Sequence, residues 1–148
     1  LYGKGDNFFG QFSAMAAMSP FLPLISRKTK FQPVFVNDVA ESIISVMCKK
    51  NNKNNIYEIG GDSVYTFEKL LKILLKIKGI KRFFIPLNPR LMMIPALFLE
   101  RLPKPPFTVD QMKLLKYDNI LKGDFPGLKD LGIEPSDMEE ELIKIYSK

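Results

Sequence analysis

The fold of this chain is indicated by KFQPVFVNDVA at residues 30–40 and by IYEIGG at residues 56–61. The first stretch predicts a strand that leads directly into a helix. Asp38 is a residue type that commonly caps a helix N-terminus, so we expect a helix from Val39 to about Cys48. The second stretch predicts a short strand at 56–59, and its glycine pair allows the backbone to turn with positive φ.

Apolar residues at helical spacing predict further helices on both sides of these stretches. One covers residues 7–18, and another covers 67–78 with Thr66 as its expected N-cap. Ser136 and Glu139 match a capping box that would begin a last helix.

The remaining extended segments are short. Residues 82–86 predict a strand, whereas in the apolar run 21–25 Pro23 lacks the N–H that a regular central strand needs. Because strands alternate with helices, the sequence indicates an α/β fold, and its length suits one modest domain.

The net charge is +6, from 22 basic and 16 acidic residues among 148. A basic surface can bind nucleic acid or anionic lipid, but it is more commonly a solvated face. The excess charge is spread along the chain without an arginine-rich or aromatic-interleaved motif, so no nucleic-acid partner is expected. The lysine-rich helix at 67–78 leaves two uses open, packing on the core or lying on a membrane surface.

The chain has one cysteine, Cys48, and no histidine. One cysteine excludes a disulfide within the chain, and we expect a reduced, partly buried thiol. The lack of histidine excludes Ser-His and Cys-His catalysis and histidine-ligated metals, so no metal site is predicted.

Two motif-like patterns are not expected to carry chemistry. Tyr65 and Lys69 have the Tyr-x-x-x-Lys spacing, but Tyr65 precedes the expected N-cap, so the two would not share a helix face. Gly3, Gly5 and Gly10 do not match the Gly-x-Gly-x-x-Gly spacing of a dinucleotide-binding loop. The sequence therefore predicts no catalytic and no cofactor-binding residue in this chain.

Four short motifs follow one another in a characteristic order: Tyr2-Gly3, VNDVA at 36–40, YEIGG at 57–61 and Thr66-Phe67. This ordered set resembles the C-terminal half of extended, including atypical, short-chain dehydrogenases, the NAD-dependent epimerase/dehydratase family. Three longer stretches, DNFF at 6–9, FQPVFV at 31–36 and LPKPPFTVDQ at 102–111, are similar to the branch of alpha subcomplex subunit nine of respiratory complex I.

The resemblance implies that residues 1–148 form the C-terminal half of a longer NAD(P)H-binding protein whose N-terminal Rossmann half is absent from this chain. The chain would supply the last strand of the Rossmann-type sheet and a small, mostly helical domain on the substrate side. It would bind no NAD(P)H alone and would not itself be catalytic.

The expected role is that of an accessory or assembly protein of complex I. Its partners would be complex I subunits or the membrane surface. Its location would be cytoplasmic, including peripheral attachment to the cytoplasmic face of a bacterial inner membrane. Two alternatives stay open: an NAD(P)-dependent reductase or epimerase acting on a small or lipid-like substrate, and a peripheral membrane or partner-binding domain.

The family position of the first stretch implies a substrate pocket that includes Lys30, Phe31, Gln32 and Val34. Epimerases often have an Arg-Asp pair where this chain has Phe31 and Gln32. Losing the arginine should weaken diphosphate binding, because charge-assisted bidentate contacts are the strong ones. The alternative is that this segment only packs against the small domain.

A predicted helix at 89–102, interrupted at Pro95, is unusually apolar. We expect an interface there, formed by Met92, Met93, Phe98 and Leu99. The alternative is burial against the helix that would follow Thr108, or against the absent Rossmann half.

Overall fold

A computed structural model of the chain describes residues 1–48, 56–87 and 113–147. The predicted interface helix, with Met92, Met93, Phe98 and Leu99, lies outside the described residues. The helices are α1 (Asn7–Met18), α2 (Val36–Cys48), α3 (Phe67–Ile77) and α4 (Met138–Tyr146), and a 3₁₀ turn covers Lys129–Leu131. The strands are β1 (Phe21–Ile25), β2 (Lys30–Phe31), β3 (Tyr65–Thr66) and β4 (Phe83–Leu87).

The strands form two small sheets. Strand β1 pairs in parallel with β4, from Phe21 opposite Phe83 to Ile25 opposite Leu87. Strand β2 pairs antiparallel with β3. The residues before α1 also lie beside the first stretch, since the Tyr2 N–H donates to the Val34 carbonyl over 3.0 Å and the Val36 N–H donates to the Tyr2 carbonyl over 2.9 Å.

The main core lies where α1, α3 and α4 meet the strands. Its fully buried side chains include Phe9, Phe67, Leu71, Leu74 and Leu142. A smaller cluster is built from Val34, Leu128, Leu131 and Ile133, with Val39 and Val46 of α2 packed against it. Burying a side chain of this size contributes about 1.5–3 kcal/mol, so these clusters hold the elements in place.

Two helices begin where the sequence predicts. Helix α1 starts at Asn7, and the Asp6 carboxylate accepts a hydrogen bond from the Phe9 N–H at 2.6 Å. Helix α3 starts at Phe67, with the Thr66 hydroxyl accepting from the Lys69 N–H at 3.2 Å. In both cases the cap satisfies a backbone donor that has no partner within the helix.

The predicted cap of α2 is wrong. The helix begins at Val36, so Asp38 lies inside the first turn. Its carboxylate is 5% exposed and accepts from the backbone N–H and the hydroxyl of Ser136, at 2.8 and 2.7 Å. Ser136 is thereby taken from its predicted capping box, and Asp137 caps α4 instead by accepting from the Glu140 N–H at 2.9 Å.

Three further predictions are also wrong. Residues 56–59 form no strand; a strand needs a neighbouring ladder, and here the Glu58 N–H donates to the Pro126 carbonyl in a loop. Cys48 is exposed rather than partly buried, because it lies on the solvent side of α2. Gly60 and Gly61 do not have positive φ. They permit close packing instead: a Cβ on Gly61 would lie 1.9 Å from the Pro33 carbonyl oxygen.

Candidate ligand-binding cleft

Two neighbouring cavities, of about 220 and 330 Å³, share Phe8, Phe31 and Leu114 as walls. The first cavity continues along α1 past Asn7 and Gln11. The second continues along the first stretch past Gln32, towards Asn119. Among the described residues, no charged side chain lines either cavity, so the cleft they form is apolar with a few neutral polar groups.

The aromatic wall is set by how α1, β2 and α3 pack. The Phe8 ring lies 6.2 Å from Phe31 and 5.9 Å from Phe67, measured between ring centroids, and Phe12 lies 5.5 Å from Phe67. Tilted and edge-to-face arrangements at these separations are favourable for aromatic rings. The wall is therefore fixed by packing of the core.

Gln32 fixes the first stretch at the edge of the second cavity. Its side-chain Nε2 donates to the Gly61 carbonyl at 2.7 Å, and its Oε1 accepts from the Leu121 N–H at 3.0 Å. The Gln32 backbone N–H donates to the Asn119 carbonyl at 3.0 Å. A carboxamide has two donor hydrogens and two acceptor lone pairs, so each end retains one further bonding position. Gln32 can thus hold the fold and still offer a neutral contact to a ligand.

The four residues of the predicted pocket are placed differently from one another. Phe31 and Gln32 line the cavities. Lys30 is exposed on β2, with its backbone N–H donating to the Asp118 carboxylate at 2.8 Å. Val34 is buried in the smaller hydrophobic cluster. Their role in binding a substrate stays a prediction.

Sequence reasoning did not assign Asn7, Phe8 or Leu114 to a pocket. Phe8 belongs to the apolar spacing that predicts α1, and that pattern cannot distinguish a core residue from a cavity wall. Leu114 reaches the site through a long-range contact: the Thr29 hydroxyl donates to the carbonyl of Leu115 at 2.5 Å. No local signal in the sequence shows that contact.

The start of α1 does not suit the pyrophosphate of a dinucleotide. Phosphates bind helix N-termini through free backbone N–H groups. Here the Asp6 carboxylate already accepts from the Phe9 N–H and places a negative charge at that end. The second carboxylate oxygen of Asp6 accepts from the Tyr146 hydroxyl at 3.0 Å. The Asp6 carboxylate therefore makes this end of α1 unfavourable for a phosphate group.

Three tyrosines favour their neutral forms, and one of them, Tyr2, lines the second cavity. Burial, followed by the negative charge of Asp38, raises the pKa of Tyr2 above its usual range. Burial, followed by the hydrogen bond to Asp6, likewise raises the pKa of Tyr146. Burial also raises the pKa of Tyr65, and Lys69 Nζ lies 5.0 Å from the centre of the Tyr65 ring. The lysine therefore makes a cation–π contact with that ring.

The described residues contain no cluster of three His, Cys, Asp or Glu side chains that could hold a metal ion. Within the same parts of the chain, no helix has both the length and the apolar character needed to cross a membrane.

Over nearly all its length, the chain is similar to proteins from several organisms that share the same name. It is 28% identical over 150 residues to NADH dehydrogenase (ubiquinone) 1 alpha subcomplex subunit 9, mitochondrial, of Dictyostelium discoideum, covering 98% of this chain and 42% of that protein. This chain is a homologue of alpha subcomplex subunit 9. The Arabidopsis thaliana protein of that name is 30% identical over 146 residues, covering 91% of this chain and 36% of its own length. No protein-family profile matches the chain.

Solved structures confirm the predicted α/β fold. The triphenylmethane reductase of Citrobacter sp., complexed with NADP(H), matches with a TM-score of 0.71 at 16% identity, covering 97% of this chain and 50% of that one. The NADPH-dependent quinone oxidoreductase of Escherichia coli, complexed with NADPH, gives 0.71 at 16% identity, with 97% and 51% covered. A nucleoside-diphosphate-sugar epimerase of Staphylococcus aureus gives 0.67 at 16% identity, with 95% and 49% covered. The chain thus shares the Rossmann-type α/β fold of these two reductases and this epimerase over about half of their length.

Proposed function

We propose that this chain is the C-terminal half of an NAD(P)H-binding accessory protein of respiratory complex I. The observation that carries the proposal is the homology to alpha subcomplex subunit 9 across 98% of the chain, which spans only 42% of that relative. The cofactor belongs to the half that precedes this chain. The present residues form the substrate-side wall of the cleft.

The outer face of α2 supports a missing partner from the same protein. Val36, Ile43, Ile44 and Met47 form one apolar stripe that is 43–79% exposed, while the opposite side of the helix packs on the smaller cluster. An apolar stripe of this width normally faces another element.

The start of the described chain lies next to this stripe. A Cβ on Gly3 would come within 2.6 Å of the Val36 side chain, so the glycine lets the two segments touch. A preceding half of the protein would enter the fold at Leu1, beside the first turn of α2. We assign the stripe to packing against that half.

The protein would bind complex I peripherally, and the subunits of complex I would attach it to the membrane. The predicted interface at Met92, Met93, Phe98 and Leu99 remains part of this proposal.

The test uses the longer protein in its own host. Mild detergent extraction followed by native gel separation should show it migrating with NADH dehydrogenase activity. Calorimetry on the purified longer protein should show NADPH binding, whereas the 148-residue chain should show none. Absence from the complex I band would reject the accessory role. Micromolar NADPH binding by the 148-residue chain would reject the assignment of the cofactor site to the preceding half.

A second candidate is an NAD(P)-dependent reductase acting on a small or lipid-like substrate. The apolar cleft beside Phe31 favours it. Turnover of NADPH by the longer protein, reduced when the cleft is blocked, would distinguish this candidate from a purely structural subunit.

A further inference from the structure

We infer that the two cavities beside Phe31 bind an uncharged ligand built on an aromatic ring that carries a hydrogen-bonding oxygen. This deepens the proposed function, because it rests on assigning this face to the substrate side of the cleft.

The walls favour a ring over an aliphatic chain. The rings of Phe8, Phe31 and Phe67 lie 5.9–6.2 Å apart between centroids, at interplanar angles of 45–73°, and all three line the first cavity. Each edge-to-face contact adds about two- to tenfold in affinity beyond the burial of apolar area. An aliphatic chain gains only the area.

The polar groups favour a neutral ligand. The first cavity has the carboxamides of Asn7 and Gln11, and the second has those of Gln32 and Asn119. An anion entering the site would lose hydration without meeting a cationic side chain among the described lining residues. A neutral oxygen needs only one donor, which a carboxamide supplies.

The size favours one or two fused rings. The cavities, at about 220 and 330 Å³, lie near or below the lower end of the range of about 300–1,000 Å³ typical for drug-sized ligands. Leu114, at 62% exposed, forms the rim through which such a ring would enter.

The test is an NMR titration of the 148-residue chain with 2-naphthol, 2-naphthoate and 1-nonanol. The first two differ in charge but share the ring system, and the third is neutral without a ring. We expect 2-naphthol to shift the signals of Phe8, Phe31 and Leu114. Its affinity should be at least about threefold higher than that of either other probe.

Two matched variants locate the site. Leu114→Lys places a cation at the rim, and Ile143→Lys makes the same change on α4, at a residue that is 48% exposed and lines neither cavity. We expect Leu114→Lys to lower the preference for 2-naphthol over 2-naphthoate by at least about threefold. Ile143→Lys should leave that preference unchanged.

Four results would overturn the inference: equal binding of 2-naphthoate, tighter binding of 1-nonanol, shifts that map away from the aromatic wall, or a spectrum without dispersed methyl signals. The last counts because the site requires α1, β2 and α3 to be folded in this chain. NAD(P)H takes no part in the titration, so failure here would leave the cofactor proposal standing, and failure of NADPH binding by the longer protein would leave this result unaffected.

Discussion

Replacing Asp38 by asparagine tests the long-range contact that joins α2 to the start of α4. The carboxylate is 5% exposed and accepts two hydrogen bonds from Ser136, at 2.8 and 2.7 Å. Hydrogen bonds to a charged group contribute about 1.5–3 kcal/mol each. The Oδ1 atom of asparagine can still accept from one of the two Ser136 donors, but its NH₂ group is itself a donor and would face the other. We therefore expect Asp38→Asn to lower the free energy of unfolding by about 2–3 kcal/mol.

Urea unfolding followed by circular dichroism measures this loss. The matched control is Asp62→Asn, which removes the same charge from an exposed ion pair with Lys129 and should change stability little. In a double-mutant cycle, Ser136→Ala should cost less in the Asp38→Asn background than in the wild type. The reasoning is refuted if Asp38→Asn lies within about 0.5 kcal/mol of the wild type, the range of an ordinary surface substitution.

Four other substitutions have defined outcomes. Gly61→Ala puts a Cβ 1.9 Å from a backbone carbonyl oxygen and should prevent native folding. Gly10→Ala adds a Cβ with ordinary contacts in α1, so it should raise the free energy of unfolding by about 0.5–1 kcal/mol, measured by urea unfolding. Ile44→Glu should leave the stability of this chain within about 0.5 kcal/mol, yet prevent pull-down of a co-expressed preceding half; retained pull-down would contradict the role of the α2 stripe. Burial and the bond to Asp6 raise the pKa of Tyr146 in the folded state, so its stabilising effect is complete below the unfolded pKa of about 10 and is lost as pH rises above it. Urea midpoints at pH 8 and 11 should therefore fall less steeply with pH in Tyr146→Phe than in the wild type, and equal slopes would count against this account.

The candidate cleft was only partly predictable. The resemblance to the extended short-chain dehydrogenases predicted a pocket that includes Lys30, Phe31, Gln32 and Val34. Of these, Phe31 and Gln32 line the cavities, and their role in binding a substrate stays a prediction. The resemblance could not show that the side chain of Gln32 also bonds to Gly61 and Leu121. Nor could it show that Phe8 would share the wall, because helical spacing alone reports which residues are apolar and not what faces them.

The sequence by itself determined the features that depend on neighbours within a few residues. The bounds of α1, the Thr66 cap of α3 and the end of that helix near Gly79, whose φ is +64°, follow from local spacing and local hydrogen bonds. The alternation of predicted strands and helices also indicated the α/β fold, which the solved structures confirm.

Only the tertiary structure decided the features whose partners lie far apart in the chain. Asp38 reads as a cap until Ser136, 98 residues later, takes both of its carboxylate oxygens. Gly61 reads as a turn residue until the Pro33 carbonyl leaves no room for a side chain. The physical reason is the same in both cases: a buried polar group or a close backbone approach is settled by whichever segment packs against it, and local spacing carries no record of that segment.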